Sequence, residues 1–226
     1  MMSNSELIAY FSDFVTPERL ERFEQVLAQR TRYITVVLED IYQQHNASAV
    51  LRTCDCFGIQ DIHVIEKRNN FSVNDNIALG ASKWLSIHKY RESEGVPAAA
   101  AVVSKLKKDG YRIVATIPDG KAVSLEEFDL SQGKVALLFG TELKGLTGEL
   151  MKRADEFLLV PMVGFTESFN ISVTAGIVLH HLTHTLRHST LNWRVAEEEK
   201  ESLKLEWLRI TIRNSELVEK RFFHRK

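Results

Sequence analysis

Two short apolar runs, each ending in a loop punctuated by glycine or proline, constrain this chain more than any other feature. Val135-Ala-Leu-Leu-Phe139 runs into Gly140-Thr-Glu142-Leu-Lys-Gly145-Leu146. Phe157-Leu-Leu-Val160 runs into Pro161-Met162-Val-Gly164-Phe-Thr-Glu-Ser168-Phe169-Asn170-Ile-Ser172. Short, unbroken apolar runs bounded by such breakers fit strands buried on both faces, as in a parallel sheet. Parallel sheets bind ligands beyond the carboxyl ends of their strands. The two loops therefore place Glu142, Ser168 and Asn170 where a small molecule would sit.

The rest of the chain supplies partners for those strands. Thr16 and Pro17 suit the start of a helix, and Leu20, Phe23, Val26 and Leu27 continue it at helical spacing to about Arg30. Tyr33–Leu38, Asp61–Ile65 and Arg112–Thr116 read as further strands. Helices are expected over Asn46–Phe57, stopped by Gly58, over the Ala-rich stretch from Pro97 to Lys108, around Glu149–Ala154, and from Asn170 to His188. Asn69–Ser82 reads as a long polar loop and Pro118-Asp-Gly120 as a turn. Strand and helix thus alternate five times, which predicts an α/β domain with a largely parallel sheet. Ala196–Lys226 lacks Gly and Pro and reads as one C-terminal helix with an apolar stripe of Leu203, Trp207, Ile210 and Leu217, widened by Leu205, Leu208 and Ile212. The expected division is a helical extension over 1–32, an α/β domain over 33–190 and a helical extension over 191–226.

Composition excludes several classes. No run approaches the roughly 18 consecutive apolar residues of a membrane span, and the N-terminus has no basic segment followed by an apolar block. A cytosolic, membrane-free protein is expected. A formal net charge of -1 argues against a uniformly basic nucleic-acid binder, although basic clusters occur at Arg30 to Arg32 and Lys220 to Lys226. Cys54 and Cys56 lie two apart and so face different ways on a helix; they read as core or near-core thiols. No Gly-x-Gly occurs, which removes the dinucleotide fingerprint. Gly140 and Gly145 have P-loop spacing, but Leu146 stands where the phosphate-binding lysine belongs. Ser168 lacks the flanking glycines of a nucleophile elbow. His180, His184 and His188 recur every four residues without a nearby carboxylate, so they read as a packed stripe and not a metal site. Asn46-Ala-Ser48 and Asn170-Ile-Ser172 match glycosylation sequons, which carry no meaning in a cytosolic chain.

Three polar blocks remain, each after an expected strand: Asn46-Ala-Ser-Ala-Val-Leu-Arg52-Thr53, Leu138-Phe-Gly140-Thr-Glu142-Leu-Lys-Gly145-Leu146, and Val160-Pro-Met162-Val-Gly164 with Ser168-Phe-Asn170-Ile-Ser172. In this order and spacing they resemble the three motifs of the SpoU/TrmH family of RNA ribose 2'-O-methyltransferases. Arg22–Arg30, Asn192-Trp193 and Leu205-Glu-Trp207-Leu208 extend the resemblance to the tRNA-modifying TrmH branch, over nearly the whole chain. The resemblance implies a deep C-terminal trefoil knot, which general topology rules would not have suggested. It also implies S-adenosylmethionine bound by the knot loops, with Thr116, Gly140, Val160, Met162 and Phe169 around it. Leucine is usual at the Phe169 position, and the larger ring is expected to pack against adenine.

The resemblance further implies a catalytic set of Arg52, Asn46, Glu142, Ser168 and Asn170. A guanidinium keeps its proton in proteins. Arg52 is therefore expected to hold a substrate phosphate and orient the attacking hydroxyl, and the acceptor of that hydroxyl's proton stays open. Asn46 can bridge Arg52 to substrate or to Glu142, and Glu142 can orient either through a charge-assisted bond. Ser168 and Asn170 are also candidates to cap the following helix.

The implied substrate is tRNA, at guanosine 18 of the D-loop, with another tRNA position or a ribosomal RNA loop as alternatives and a non-catalytic RNA-binding protein as a third. An unstacked loop nucleotide can enter a pocket, and its 2'-hydroxyl separates RNA from DNA. Phosphate contacts would fall to Arg19, Arg22, Arg30, Arg32, Lys220, Arg221, Arg225 and Lys226. A homodimer is implied as well, in which the arginine of one subunit meets the other's cofactor.

Overall fold

The computed structural model describes residues 4–118, 120–142 and 144–224. They fall into two units: residues 32–193, and a second unit built from residues up to Thr31 together with Arg194 onward. The two ends of the chain, expected as separate extensions, thus belong to one unit.

The larger unit is built on strands β1 (Ile34–Glu39), β2 (Asp61–Ile65), β3 (Ser86–Tyr90), β4 (Arg112–Thr116), β5 (Val123–Ser124), β6 (Val135–Phe139) and β7 (Glu156–Leu159). Among the described residues they form one seven-stranded sheet in the order β3-β2-β1-β6-β4-β7-β5, and every recorded pairing is parallel. The central β1 and β6 have every residue buried. Successive side chains serve opposite faces: Ile34, Val36, Leu38, Val135, Leu137 and Phe139 enter one core, while Val37, Ala136 and Leu138 enter the other.

Helices cover both faces. The first core packs against Ala47, Val50 and Leu51 of one helix (Gln44–Cys56) and Ala175, Val178, Leu179 and Leu182 of another (Ile171–Arg187). The second packs against Ala99, Val102, Val103 and Leu106 of a helix over Ala98–Lys108. In chain order the helices of the molecule are α1 (Asn4–Ser12), α2 (Pro17–Leu27), α3 (Gln44–Cys56), α4 (Asp75–Ala78), α5 (Ala98–Lys108), α6 (Gly148–Met151), α7 (Ile171–Arg187), α8 (Glu197–Thr211) and α9 (Ser215–His224).

The five expected strands are present, and the sheet gains β3 and β5 at its two edges. The stretch expected as an irregular loop holds the one-turn α4 and a 3-10 turn at Ala81–Lys83. The Pro118–Gly120 turn falls partly on residue 119, outside the described residues. Cys54 is buried, but Cys56 is exposed, contrary to the near-core expectation, because the helix turns it away from its neighbour.

In the other unit, Thr16 caps α2 by accepting from the Arg19 amide at 3.3 Å, with Pro17 in the first turn, as its sequence suggests. The chain after Leu191 is two helices and not one. The β-branched run Ile210–Ile212 weakens the helix, and Asn214 takes a left-handed φ of 56° that reverses the chain into α9. Leu203, Leu205, Trp207 and Leu208 are buried, whereas Ile210 and Leu217 remain about half exposed, so only part of the expected apolar stripe is covered. Helix α1, which the polar N-terminal sequence did not suggest, buries Leu7, Ile8 and Phe11. Phe23 meets Trp207 edge-on at 5.5 Å, and the Arg30 guanidinium lies 5.4 Å from the Trp207 ring centre. No helix of the described residues is long and apolar enough to cross a membrane.

Candidate functional site

The carboxyl ends of β1, β6 and β7 lead into the three polar blocks, and their side chains meet. Asn46, near the start of α3 and almost fully buried, donates through Nδ2 to Gln43 Oε1 and to Glu142 Oε1, each at 2.9 Å. Asn170 Nδ2 donates to Asn46 Oδ1 at 3.1 Å and also to Glu142 Oε1. Asn46, Glu142 and Asn170 therefore close a triangle across 124 residues of sequence. Asn170 is also the N-cap of α7: its Oδ1 accepts from the Ser172 amide at 2.8 Å and the Ser172 hydroxyl at 2.6 Å. Capping and site construction are one arrangement, since the bonds that start α7 also aim the Asn170 amide at Glu142.

The loop carrying Glu142 is pinned by backbone. Thr141 and Gly145 exchange amide–carbonyl bonds of 3.1 and 2.8 Å. A Cβ on Gly140 would lie 2.2 Å from the Gly145 carbonyl carbon and 2.3 Å from the Leu146 nitrogen, so only glycine fits there. Gly145 takes a φ of +63°, a left-handed conformation that glycine adopts without strain. Buried Glu39, at the end of β1, anchors the far side by accepting from the Thr147 amide at 2.8 Å, the Thr147 hydroxyl at 2.7 Å and Lys67 Nζ at 2.8 Å. Gln43, Glu39, Thr147 and Lys67 carry no motif that marks them in the sequence. An acidic residue closing an otherwise apolar strand was the available signal for Glu39.

Between these loops lies a cavity of about 490 Å³, inside the roughly 300–1,000 Å³ range of small-molecule sites. Thr116, Gly140, Val160, Met162 and Phe169 all line it, as do Glu142 and Ser168. Ile117, Leu146 and Leu158 add apolar wall, and Glu167 a second carboxylate. The Thr116 hydroxyl donates to the Leu138 carbonyl at 2.7 Å, tying β4 to β6 at the cavity floor. Asn46 lines a smaller adjoining chamber with Glu142. Arg52 lies six residues along α3 from Asn46, exposed to solvent and lining neither chamber. It has no side-chain hydrogen bond or ion pair among the described residues.

The basic candidates divide. Arg19, Arg22, Lys220 and Arg221 are exposed. Arg30 is not available to a phosphate: only 1% of its surface is exposed and its guanidinium stacks on Trp207. Arg32 is ion-paired to Asp61 at 2.8 Å and is likewise already engaged. Arg225 and Lys226 lie outside the described residues. The His184 and His188 rings pack 4.3 Å apart along α7, and no group of three or more metal-binding side chains is gathered among the described residues.

A second polar cluster lies where β2 meets β3. His63 and His88 are cross-strand neighbours with rings stacked at 4.8 Å. His63 Nδ1 lies 3.0 Å from the Tyr90 hydroxyl, and His88 Nε2 lies 2.9 Å from Asp61. Burial, followed by the neighbouring His88 charge, pushes the His63 pKa down to about 4. Burial works to raise the Asp61 carboxyl, but the His88 hydrogen bond and the Arg32 charge outweigh it and hold that group below its ordinary value.

The sequence model of the SpoU rRNA Methylase family matches residues 33–180. The chain is 42% identical over 212 residues to a tRNA (guanosine(18)-2'-O)-methyltransferase of Borreliella burgdorferi, covering 94% of both proteins. In structure it is similar to a TrmH/SpoU tRNA modifying enzyme of A. aeolicus, with a TM-score of 0.76 and 28% identity over 87% of this chain and 98% of the other. An AdoMet-bound rRNA methyltransferase from Sinorhizobium meliloti shares the fold, with a TM-score of 0.56 and 21% identity over 70% of this chain and 58% of the other.

Proposed function

Because the chain belongs to the SpoU rRNA Methylase family, we propose that it is a tRNA methyltransferase that places a methyl group on the ribose 2'-hydroxyl of guanosine 18. The observation that carries this reading is the Asn46–Glu142–Asn170 triangle beside a cavity of small-molecule size. The 42% identity to a guanosine-18 enzyme along 94% of both chains supports the position on the RNA.

The cavity fits S-adenosylmethionine. Its apolar walls at Ile117, Leu146, Val160, Met162 and Phe169 suit a purine and a methylene chain, and Glu142 and Glu167 suit a cationic ligand. When bound, that molecule supplies a methyl group activated on a sulfonium. The work of the protein is then alignment within a site partly closed to water. Glu142, held by two amides, keeps one carboxylate oxygen fixed at the cavity wall. Asn46 and Asn170 hold it there, and Ser168 offers a hydroxyl to the same space. Arg52 takes a substrate phosphate and so sets the direction of the ribose; a guanidinium stays charged throughout.

Arg52 faces solvent and lines neither chamber of its own chain. That supports a homodimer in which it completes the site of a second copy. A knotted C-terminal part of the α/β domain belongs to the same proposal, carried by membership of the family. The exposed Arg19, Arg22, Lys220 and Arg221 of the terminal-helix unit are the proposed tRNA phosphate contacts, and a cytoplasmic location follows from that substrate.

Incubation of the protein with unmodified total RNA and methyl-labelled S-adenosylmethionine, followed by nuclease mapping, tests this reading. Label on the ribose of guanosine 18 is expected. Label confined to ribosomal RNA, or to a base, would overturn it.

A further inference from the structure

The second chamber, of about 240 Å³, shares Thr141, Glu142, Lys144 and Ile171 with the first cavity, so one wall separates the two spaces. Group transfer between two reactants needs adjoining seats of this kind. We propose that this chamber seats the acceptor nucleotide, a purine turned out of an RNA loop, with Tyr42 as its stacking platform and Arg68 and Lys144 as its phosphate clamps. The proposal rests on the methyltransferase reading and deepens it.

Tyr42 is 79% exposed although the adjoining Ile41 is buried. A large aromatic face held at the mouth of a polar chamber is what base stacking requires. Its position is enforced from below. Asp40 adopts a left-handed φ of 51°, which is uncommon for a residue other than glycine. Its Oδ1 accepts from three successive backbone amides, Lys67 at 3.1 Å, Arg68 at 2.9 Å and Asn69 at 2.9 Å. The Asn69 side-chain amide returns a bond of 3.2 Å to the Asp40 carbonyl. One carboxylate thus fastens the loop after β2 onto the loop after β1 and builds the chamber wall. Backbone strain of this kind persists only where the surroundings enforce it.

The polar lining is short of partners in a pattern a nucleotide would complete. Arg68 and Lys144 are exposed and form no ion pair among the described residues. Gln43 spends its carbonyl on Asn46, which leaves its amide N–H as a donor. Asn69 spends its amide N–H on Asp40, which leaves its carbonyl as an acceptor. A purine edge carrying both acceptors and donors matches that pair.

The test uses steady-state methylation of tRNA together with calorimetric binding of S-adenosylmethionine to the same preparations. Tyr42→Ala is expected to lower kcat/KM for tRNA by about 5- to 150-fold, the range of one lost base stack. Tyr42→Phe is expected to stay near wild type, and cofactor affinity to be unchanged in both. Arg68→Ala with Lys144→Ala is expected to flatten the dependence of log K for tRNA on log salt by about 0.7 to 0.9 for each phosphate no longer neutralised. Wild-type kcat/KM in Tyr42→Ala, with an unchanged salt slope in the double variant, would overturn this assignment while tRNA methylation itself stood. A Tyr42→Ala loss that Tyr42→Phe fails to restore would also count against stacking. Absence of methylation by the wild-type protein would overturn the reading beneath it.

Discussion

The Asn46–Glu142–Asn170 triangle and the His63–His88 pair are both polar clusters in the same unit, yet they are built in opposite ways. The histidines sit on adjacent strands in direct register, and each has a neighbour in hand, Tyr90 for His63 and Asp61 for His88. The triangle draws its residues from three segments beyond the carboxyl ends of strands, the start of α3, the loop after β6 and the N-cap of α7, and Asn46 and Glu142 line open chambers. A cluster satisfied by its own sheet serves the fold. A cluster assembled by loops, beside exposed cations and open space, serves a ligand.

The sharpest way to break the contrast is Gly140→Ala. The new methyl would collide with backbone at 2.2 Å, which no side-chain rearrangement relieves. A destabilisation of at least about 3 kcal/mol in urea titrations, with loss of S-adenosylmethionine binding, is expected. A stable variant with normal cofactor affinity would show that the loop is not held as described.

The histidine pair should respond to acid, and the triangle should not be needed for that response. An unfolded histidine takes its proton near 6.5, while folded His63 resists protonation down to about 4. The unfolded chain therefore binds more protons between those values. Stability is intact above pH 6.5 and falls as pH drops, by about 2 kcal/mol between pH 7 and pH 5 from this group. His63→Phe should flatten that part of the stability profile; an unaltered slope would assign it elsewhere. Smallest of all, Lys105→Met removes an exposed pair with Asp109, four residues on at the end of α5. It should change stability by no more than about 0.5 kcal/mol, and a larger effect would mean that the histidine cluster extends to α5.

The same division explains what could be read from sequence. Strands β1, β2 and β6 were legible because burial on both faces demands continuous apolar residues. Edge strand β3, Ser86-Ile-His-Lys-Tyr90, is only partly buried and carries polar residues that look like a loop. Strand β5 is two residues long. Helix α1 was hidden because three apolar residues among polar ones acquire meaning only once they are packed. Arg30 looked like a phosphate ligand because charge is visible in a sequence and a Trp207 beneath it is not. The cavity residues from Thr116 to Phe169 were placed by motif, whereas Asp40 and Tyr42 carry no motif. The role of Asp40 is set by a backbone angle and three amides that only the folded loops bring together.

The central claim is that the three loops meet in order to align methyl transfer, and Glu142→Gln tests it most directly. Glutamine keeps the shape of the side chain and removes the charge that Asn46 and Asn170 hold in place. Measured as a single-turnover rate with saturating tRNA and S-adenosylmethionine, so that any loss of affinity is masked, methylation should slow by at least about tenfold, the value of a charge-assisted hydrogen bond. A wild-type rate in this variant would contradict the account.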